Sequence, residues 1–164
     1  MNSQEHYWND LYATKVQVEY LGLLSEHAEW RDRCLKIFLA LMSSGSIAAW
    51  AVWKQHPLLW GTLIAASQVI TAVVPFLPFK SRLKSIAGLL PELEVLHINM
   101  ESKWLEIMQA ELTDAEIRKC ITAFRQQKQK MLQKNLPGRT LPEKVDLLTK
   151  AEKKAELWVE TYYG

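Results

Sequence analysis

Residues 37–53, IFLALMSSGSIAAWAVW, and residues 57–79, PLLWGTLIAASQVITAVVPFLPF, contain no charged side chain. How these two runs are read decides the fold. As helices at 1.5 Å per residue they would reach roughly 26 and 34 Å, against a hydrocarbon thickness of ~30 Å. Two consecutive runs of this kind predict a transmembrane helical hairpin with spans 37–53 and 58–79, because most helices of a small water-exposed fold need a wet face. A buried hairpin inside a helical bundle is the alternative reading.

The connector KQHP, residues 54–57, is ringed by Trp50, Trp53 and Trp60. Indole rings favour a bilayer interface, where the ring sits in lipid and its N–H meets water. Pro57 suits the first turn of the second helix, where its missing N–H costs nothing. The outer flanks carry Arg31, Arg33, Lys36, Lys80, Arg82 and Lys84, while the tip has only Lys54. That bias predicts a membrane hairpin with both termini in the cytoplasm. Thirty-six mostly polar residues precede the first run, so it reads as an internal span and not a signal peptide.

Within the hairpin, Gly61, Ala65, Gln68 and Ala72 form a stripe of small or polar residues, and Gln68 falls level with Ser43 and Ser44. Such a stripe serves close helix packing, with Gln68 bonding a serine hydroxyl. The other reading is a pore lining, exposed to water once several copies assemble.

Outside the hairpin the expectation is all-α, with an N-terminal helical region over 1–36 and a helical region over 80–164. Tyr12, Val16, Tyr20 and Leu23 recur at helical spacing on a helix that begins near residue 5 and can run straight into the first span. Leu89, Leu93, Leu96, Met100 and Trp104 step by three or four, a packing stripe whose partner is the N-terminal helix or another subunit. TDAE at 113–116 reads as a capping box that starts a further helix, ending before Leu136-Pro137-Gly138. A last helix is expected from about residue 142 to residue 162.

Charge is divided along this region. Residues 86–116 hold seven acids and one base; residues 117–142 hold seven bases and no acid. The division fits complementary faces within a helix pair or solvated surface. It also fits a docking surface made by Arg118, Lys119, Arg125, Lys128, Lys130 and Lys134 for an acidic partner or a nucleic acid.

The sequence offers no enzyme constellation. His6, His27, His56 and His97 are far apart, with no metal-ligand spacing to Cys34 or Cys120. Phosphate-binding glycine loops and nucleophile motifs are missing. No cofactor, metal site or catalytic residue is therefore expected. Cys34 beside the first run is expected to be a buried thiol.

The order of parts (an N-terminal helix, a tight hairpin with the basic exit KSRLK, then long helices) resembles the small two-transmembrane, SLATT-like effectors of bacterial anti-phage defence. Some of these accompany retrons or cyclic-nucleotide signalling systems. The resemblance covers roughly residues 5–112 and is architectural. It implies a homo-oligomer that permeabilises the inner membrane and causes abortive infection, with membrane lipid as one partner. Because the chain has no nucleotide-sensing domain, it also implies control by a separate protein or ribonucleoprotein, such as a reverse transcriptase with its DNA–RNA product. A non-catalytic accessory subunit of an inner-membrane complex and a helical binding module are the rival classes.

Overall fold

In the computed structural model the described residues are 2–52, 57–73, 79–138 and 143–164; the side chains of 42–52, 57, 59, 60, 63 and 79–82 are not among them. Five α-helices account for nearly all of these residues: α1 (Ser3–Val52), α2 (Pro57–Val73), α3 (Phe79–Met108), α4 (Asp114–Asn135) and α5 (Val145–Tyr163). They belong to two compact units, one made of residues 1–25 and 83–164, the other of residues 26–82.

The first unit is a four-helix bundle built from the start of α1 with α3, α4 and α5. α1 runs antiparallel to α3, since the Tyr7 ring stacks beside Trp104 and its hydroxyl reaches the Met100 carbonyl. α4 runs parallel to α1, with Arg118 near Ser3, Arg125 on Asp10 and Lys128 on Thr14. α5 runs antiparallel to α1, because Trp158 lies against Trp8 while the Lys144 amide donates to the Tyr20 hydroxyl at 3.1 Å.

The core follows from helical periodicity. Leu89, Leu93, Leu96 and Met100 are buried on α3, with Trp104 packed against the same cluster. They meet Tyr7, Leu11, Leu21 and Leu24 of α1, and Ile117 and Ile121 of α4. α5 contributes the fully buried Ala151, and Ala155 one turn on is equally buried. Side chains this small let the α5 backbone approach its neighbours closely.

Local chemistry sets the break between α3 and α4. Ala110 adopts a left-handed φ of 58°. Its amide donates to the Ile107 carbonyl at 3.1 Å, and the Glu111 amide donates to Glu106 at 3.2 Å. This paired closure is the Schellman arrangement that ends a helix. Three residues later Glu116 accepts from the Thr113 amide at 2.8 Å and from the Thr113 hydroxyl at 2.7 Å, and α4 begins. Those two hydrogen bonds hold the Glu116 carboxyl below its ordinary range.

The expected membrane hairpin, with spans 37–53 and 58–79, is corrected by the structure. Among the described residues no helix is long and apolar enough to cross a membrane. As described, α2 covers the 17 residues Pro57–Val73, a rise of about 26 Å where ~30 Å is needed. Positions 74–78 of the expected second span lie outside the described residues. The N-terminal helix does run on without a break, as expected: α1 is a 50-residue helix from Ser3 to Val52, with Arg31, Asp32, Arg33 and Lys36 just before residue 37. The inner-membrane placement with cytoplasmic termini rested on those spans and is corrected with them, since a flanking-charge bias orients only a segment that crosses.

Candidate functional site: the faces of the helical units

The predicted site residues fall in different settings. Leu89, Leu93, Leu96 and Met100 form interior packing of the first unit, and Trp104 packs half-buried against them. Gly61, Ala65, Gln68 and Ala72 are exposed on α2, with open space where a Cβ on Gly61 would sit. Ser67 and Thr71 of the same helix donate their hydroxyls to carbonyls one turn back, to Ile64 and Ser67, each at 2.8 Å. Trp53 and the side chains of Ser43, Ser44, Trp50 and Trp60 lie outside the described residues. The pairing of Gln68 with the serines lies there too.

Several bases of α4 pair with neighbouring helices of the same unit, mostly at its surface. Arg125 makes a two-pronged contact with Asp10, at 2.7 Å and 3.0 Å. Lys134 reaches Glu92 at 2.5 Å, and Asn135 donates to the same carboxylate at 3.2 Å. Lys128 lies over α1 and donates to the Thr14 hydroxyl at 3.2 Å. Burial pushes the Lys128 ammonium below its ordinary value, and Asp10 works in the opposite direction. Arg118 approaches Ser3 at 3.4 Å and stays exposed, as do Lys119 and Lys130. Of the six predicted docking bases, three therefore serve to position α4. Complementary charge inside the unit accounts for them, but two of the three join α1 or its threonine and not the acidic stretch of α3.

An aromatic cluster that sequence reasoning missed occupies the end of the bundle where α1 begins. The rings of Trp8 and Trp104 are 5.1 Å apart, Trp8 and Tyr163 5.2 Å, and Trp158 and Tyr163 5.2 Å. His97 sets its ring edge against Trp158 at 5.2 Å. The Lys15 ammonium lies over the Trp158 ring, 5.7 Å from its centroid, held also by Glu19 at 2.7 Å. A shallow groove of roughly 600 Å³ is lined by Trp8, Trp104, Met108, Tyr162, Tyr163 and Gly164. Tyr163 donates to Glu101 at 3.3 Å; burial and that carboxylate push its hydroxyl up to about 12.

His97 is buried, and its Nε2 has no hydrogen-bond partner among the described residues. Burial, with help from Lys15 and against Glu19, brings its pKa down to about 4. A neutral, enclosed imidazole of that kind is poorly placed to exchange protons near neutrality. Trp8, Trp104 and Trp158 come from three separate stretches of sequence, and only Trp104 stands on a stripe that periodicity could recognise. Among the described residues no group of three His, Cys, Asp or Glu could hold a metal ion. Cys34 is exposed, which corrects the expectation of a buried thiol, and Cys120 is half-buried; Cys34 stands where α1 has left the bundle for the second unit.

Exposed apolar side chains are the remaining candidates. They lie on α2 at Leu58, Ile64, Val69 and Val73, on the middle of α1 at Trp30, Ile37 and Leu41, and on α3 at Val95, Ile98 and Leu105. No protein-family model, curated protein or solved structure matches the chain.

Proposed function

We propose that the protein acts by assembling with copies of itself and performs no chemistry of its own. In this reading the bundle of residues 1–25 and 83–164 is a folded head, and residues 26–82 are the segment through which copies associate. One observation carries it. α2 has no charged residue, yet Leu58 is 82% exposed and Val69 63% exposed. Apolar surface gathered on one uncharged helix favours burial against another apolar surface, at about 25 cal/mol per Å² removed from water. The exposed Gly61, Ala65 and Ala72 would let a second helix come close.

The effector role implied by the resemblance then becomes the output of assembly, and a separate regulatory protein or ribonucleoprotein sets when assembly occurs. Such a regulator would meet the α4 bases that the bundle leaves outward, Arg118, Lys119 and Lys130. The test is the mass of the purified full-length chain across a hundredfold range of concentration. Multimers are expected for the parent, and a shift toward monomer for the double variant Leu58→Glu, Val69→Glu. A parent chain that is monomeric throughout overturns the reading. Expression without any partner should arrest growth with the parent and not with the double variant; assembly without arrest would favour an accessory subunit.

A further inference from the structure

The groove at the end of the bundle where α1 begins has aromatic walls and acidic surroundings. Trp8, Trp104, Tyr162 and Tyr163 line it together with Met108, around a volume of roughly 600 Å³. The Trp8 ring stands at 43° to Trp104 and at 80° to Tyr163, so the walls face different ways. Tyr162 is 69% exposed and Met108 is exposed beside it, which leaves this surface open to a partner. The cluster already holds one cation, since the Lys15 ammonium lies over the Trp158 ring.

Charge beside the groove has one sign. Glu5 stands three residues before Trp8, Glu101 three before Trp104 and Glu160 three before Tyr163. That separation puts each pair on one helix face, a turn apart. Glu111 follows Met108 by three, in the turn that closes α3, and no lysine or arginine stands three or four positions from any of these lining residues. Glu5, Glu111 and Glu160 are exposed and Glu101 is half-buried. None of the four is within salt-bridge distance of a base among the described residues. Glu101 accepts from the Tyr163 hydroxyl, a neutral donor that leaves the carboxylate its charge. The bases bordering the cluster are engaged elsewhere: Lys103 by Glu106, Lys15 by Glu19, and Arg118 by Ser3.

An aromatic face attracts a cation through its quadrupole, and carboxylates nearby add to that attraction. The same carboxylates repel phosphate, which disfavours a nucleic-acid strand that could otherwise stack its bases on the rings. A shallow groove does not bury most of a small free ligand, as a small-molecule site does. A side chain displayed by a larger partner needs only to lie across the rings. Guanidinium suits the task best: it is planar and weakly hydrated, and it stacks on aromatic faces while its N–H groups reach carboxylates. We propose that this groove binds an arginine side chain of a partner polypeptide, with the indole and phenol rings under the guanidinium and the glutamates as its counter-charge. The site is independent of assembly through residues 26–82, because all of its residues belong to the other unit.

The test titrates the full-length chain into a fluorescein-labelled glycine–serine peptide carrying three arginines and reads anisotropy. Companion peptides carry lysine or citrulline at the same positions; citrulline keeps the shape of arginine without its charge. The arginine peptide should bind, the lysine peptide more weakly, and the citrulline peptide about tenfold or more weakly. Tyr162→Leu keeps apolar bulk and removes one ring, and should weaken binding about threefold to fivefold. Glu5→Gln with Glu160→Gln should weaken it about threefold, an effect that added salt diminishes. Glu94→Gln, an exposed carboxylate of α3 away from these rings in sequence, should leave binding unchanged. All substituted positions are exposed, and a circular-dichroism melt at the parental temperature confirms that each variant is folded. The site is refuted if the arginine peptide does not bind, if lysine or citrulline serves as well, or if Tyr162→Leu leaves the affinity unchanged. A single-stranded oligothymidylate that displaces the arginine peptide assigns the rings to nucleic acid and refutes it too. A monomeric parent that binds the arginine peptide refutes self-assembly alone, so the two readings fail separately.

Discussion

The hydroxyl of Tyr7 donates to the main-chain carbonyl of Met100 at 2.8 Å, joining positions 93 residues apart in the interior of the bundle. Burial, then the nearby Cys120 and Glu106, push the Tyr7 hydroxyl well above its ordinary pKa, so it remains a donor at any working pH. Its ring stacks on Trp104 and meets the edge of Phe124, which ties α1, α3 and α4 at one point. Tyr7→Phe keeps the ring and removes the donor. The expected cost is about 1 kcal/mol, a typical net hydrogen-bond contribution. In urea the midpoint should fall with the slope unchanged; Tyr7→Ala should cost about 3–5 kcal/mol by opening a cavity.

His97 gives the fold a pH dependence in a defined window. Its folded pKa of about 4 lies below the ordinary 6.5, so between those values the unfolded chain binds a proton that the folded chain refuses. Stability from this group is complete above about pH 6.5, falls as pH drops, and stops falling below about pH 4. Between pH 7 and pH 5 the loss should be about 1–2 kcal/mol once solvent screening is allowed for. Urea melts at several pH values should show the slope, and His97→Gln should flatten it. Glu19 does not share the window. Burial raises its carboxyl, but the hydrogen bonds and charges of Lys15 and Lys154 outweigh burial and keep it below its ordinary 4.5.

Ala110 holds the left-handed conformation that closes α3, where a side chain crowds the following carbonyl. Ala110→Gly should stabilise the chain by about 0.5–1 kcal/mol by removing that crowding, less the entropy that glycine brings to the unfolded state. Ala110→Val should destabilise it. A thermal melt checks both, and a stabilising valine would show that the closure is made in some other way.

Much of the bundle was legible in sequence because its signals are local. The stripe from Leu89 to Trp104 repeats within one helix, and the capping box at Thr113 and Glu116 needs only four residues. The α4 charges could be counted but not assigned, since Arg125 finds Asp10 at a separation of 115 residues. The aromatic cluster was illegible for the same reason: Trp8, Trp104 and Trp158 are neighbours only after three helices pack. The membrane reading failed on a different ground. Counting uncharged positions measures how far a charge-free stretch extends, whereas among the described residues no helix is long and apolar enough to cross a membrane. A helix can also carry apolar side chains for another helix as readily as for lipid.

The separations that hold the bundle together also dictate a timetable for synthesis. Tyr7 waits for Met100, Asp10 for Arg125, and Tyr20 for Lys144, contacts 93, 115 and 124 residues apart. At ribosomal rates of about 5–20 residues per second, the first half of α1 is exposed for several seconds before α3 emerges. The uncharged α2 leaves the ribosome within that interval, ahead of the head that would accompany it. Helical proteins usually close through near neighbours and fold fast; here closure is long-range, so folding should be slow for an all-α chain. The nascent chain therefore presents its uncharged, exposed helix before the bundle that follows it can close.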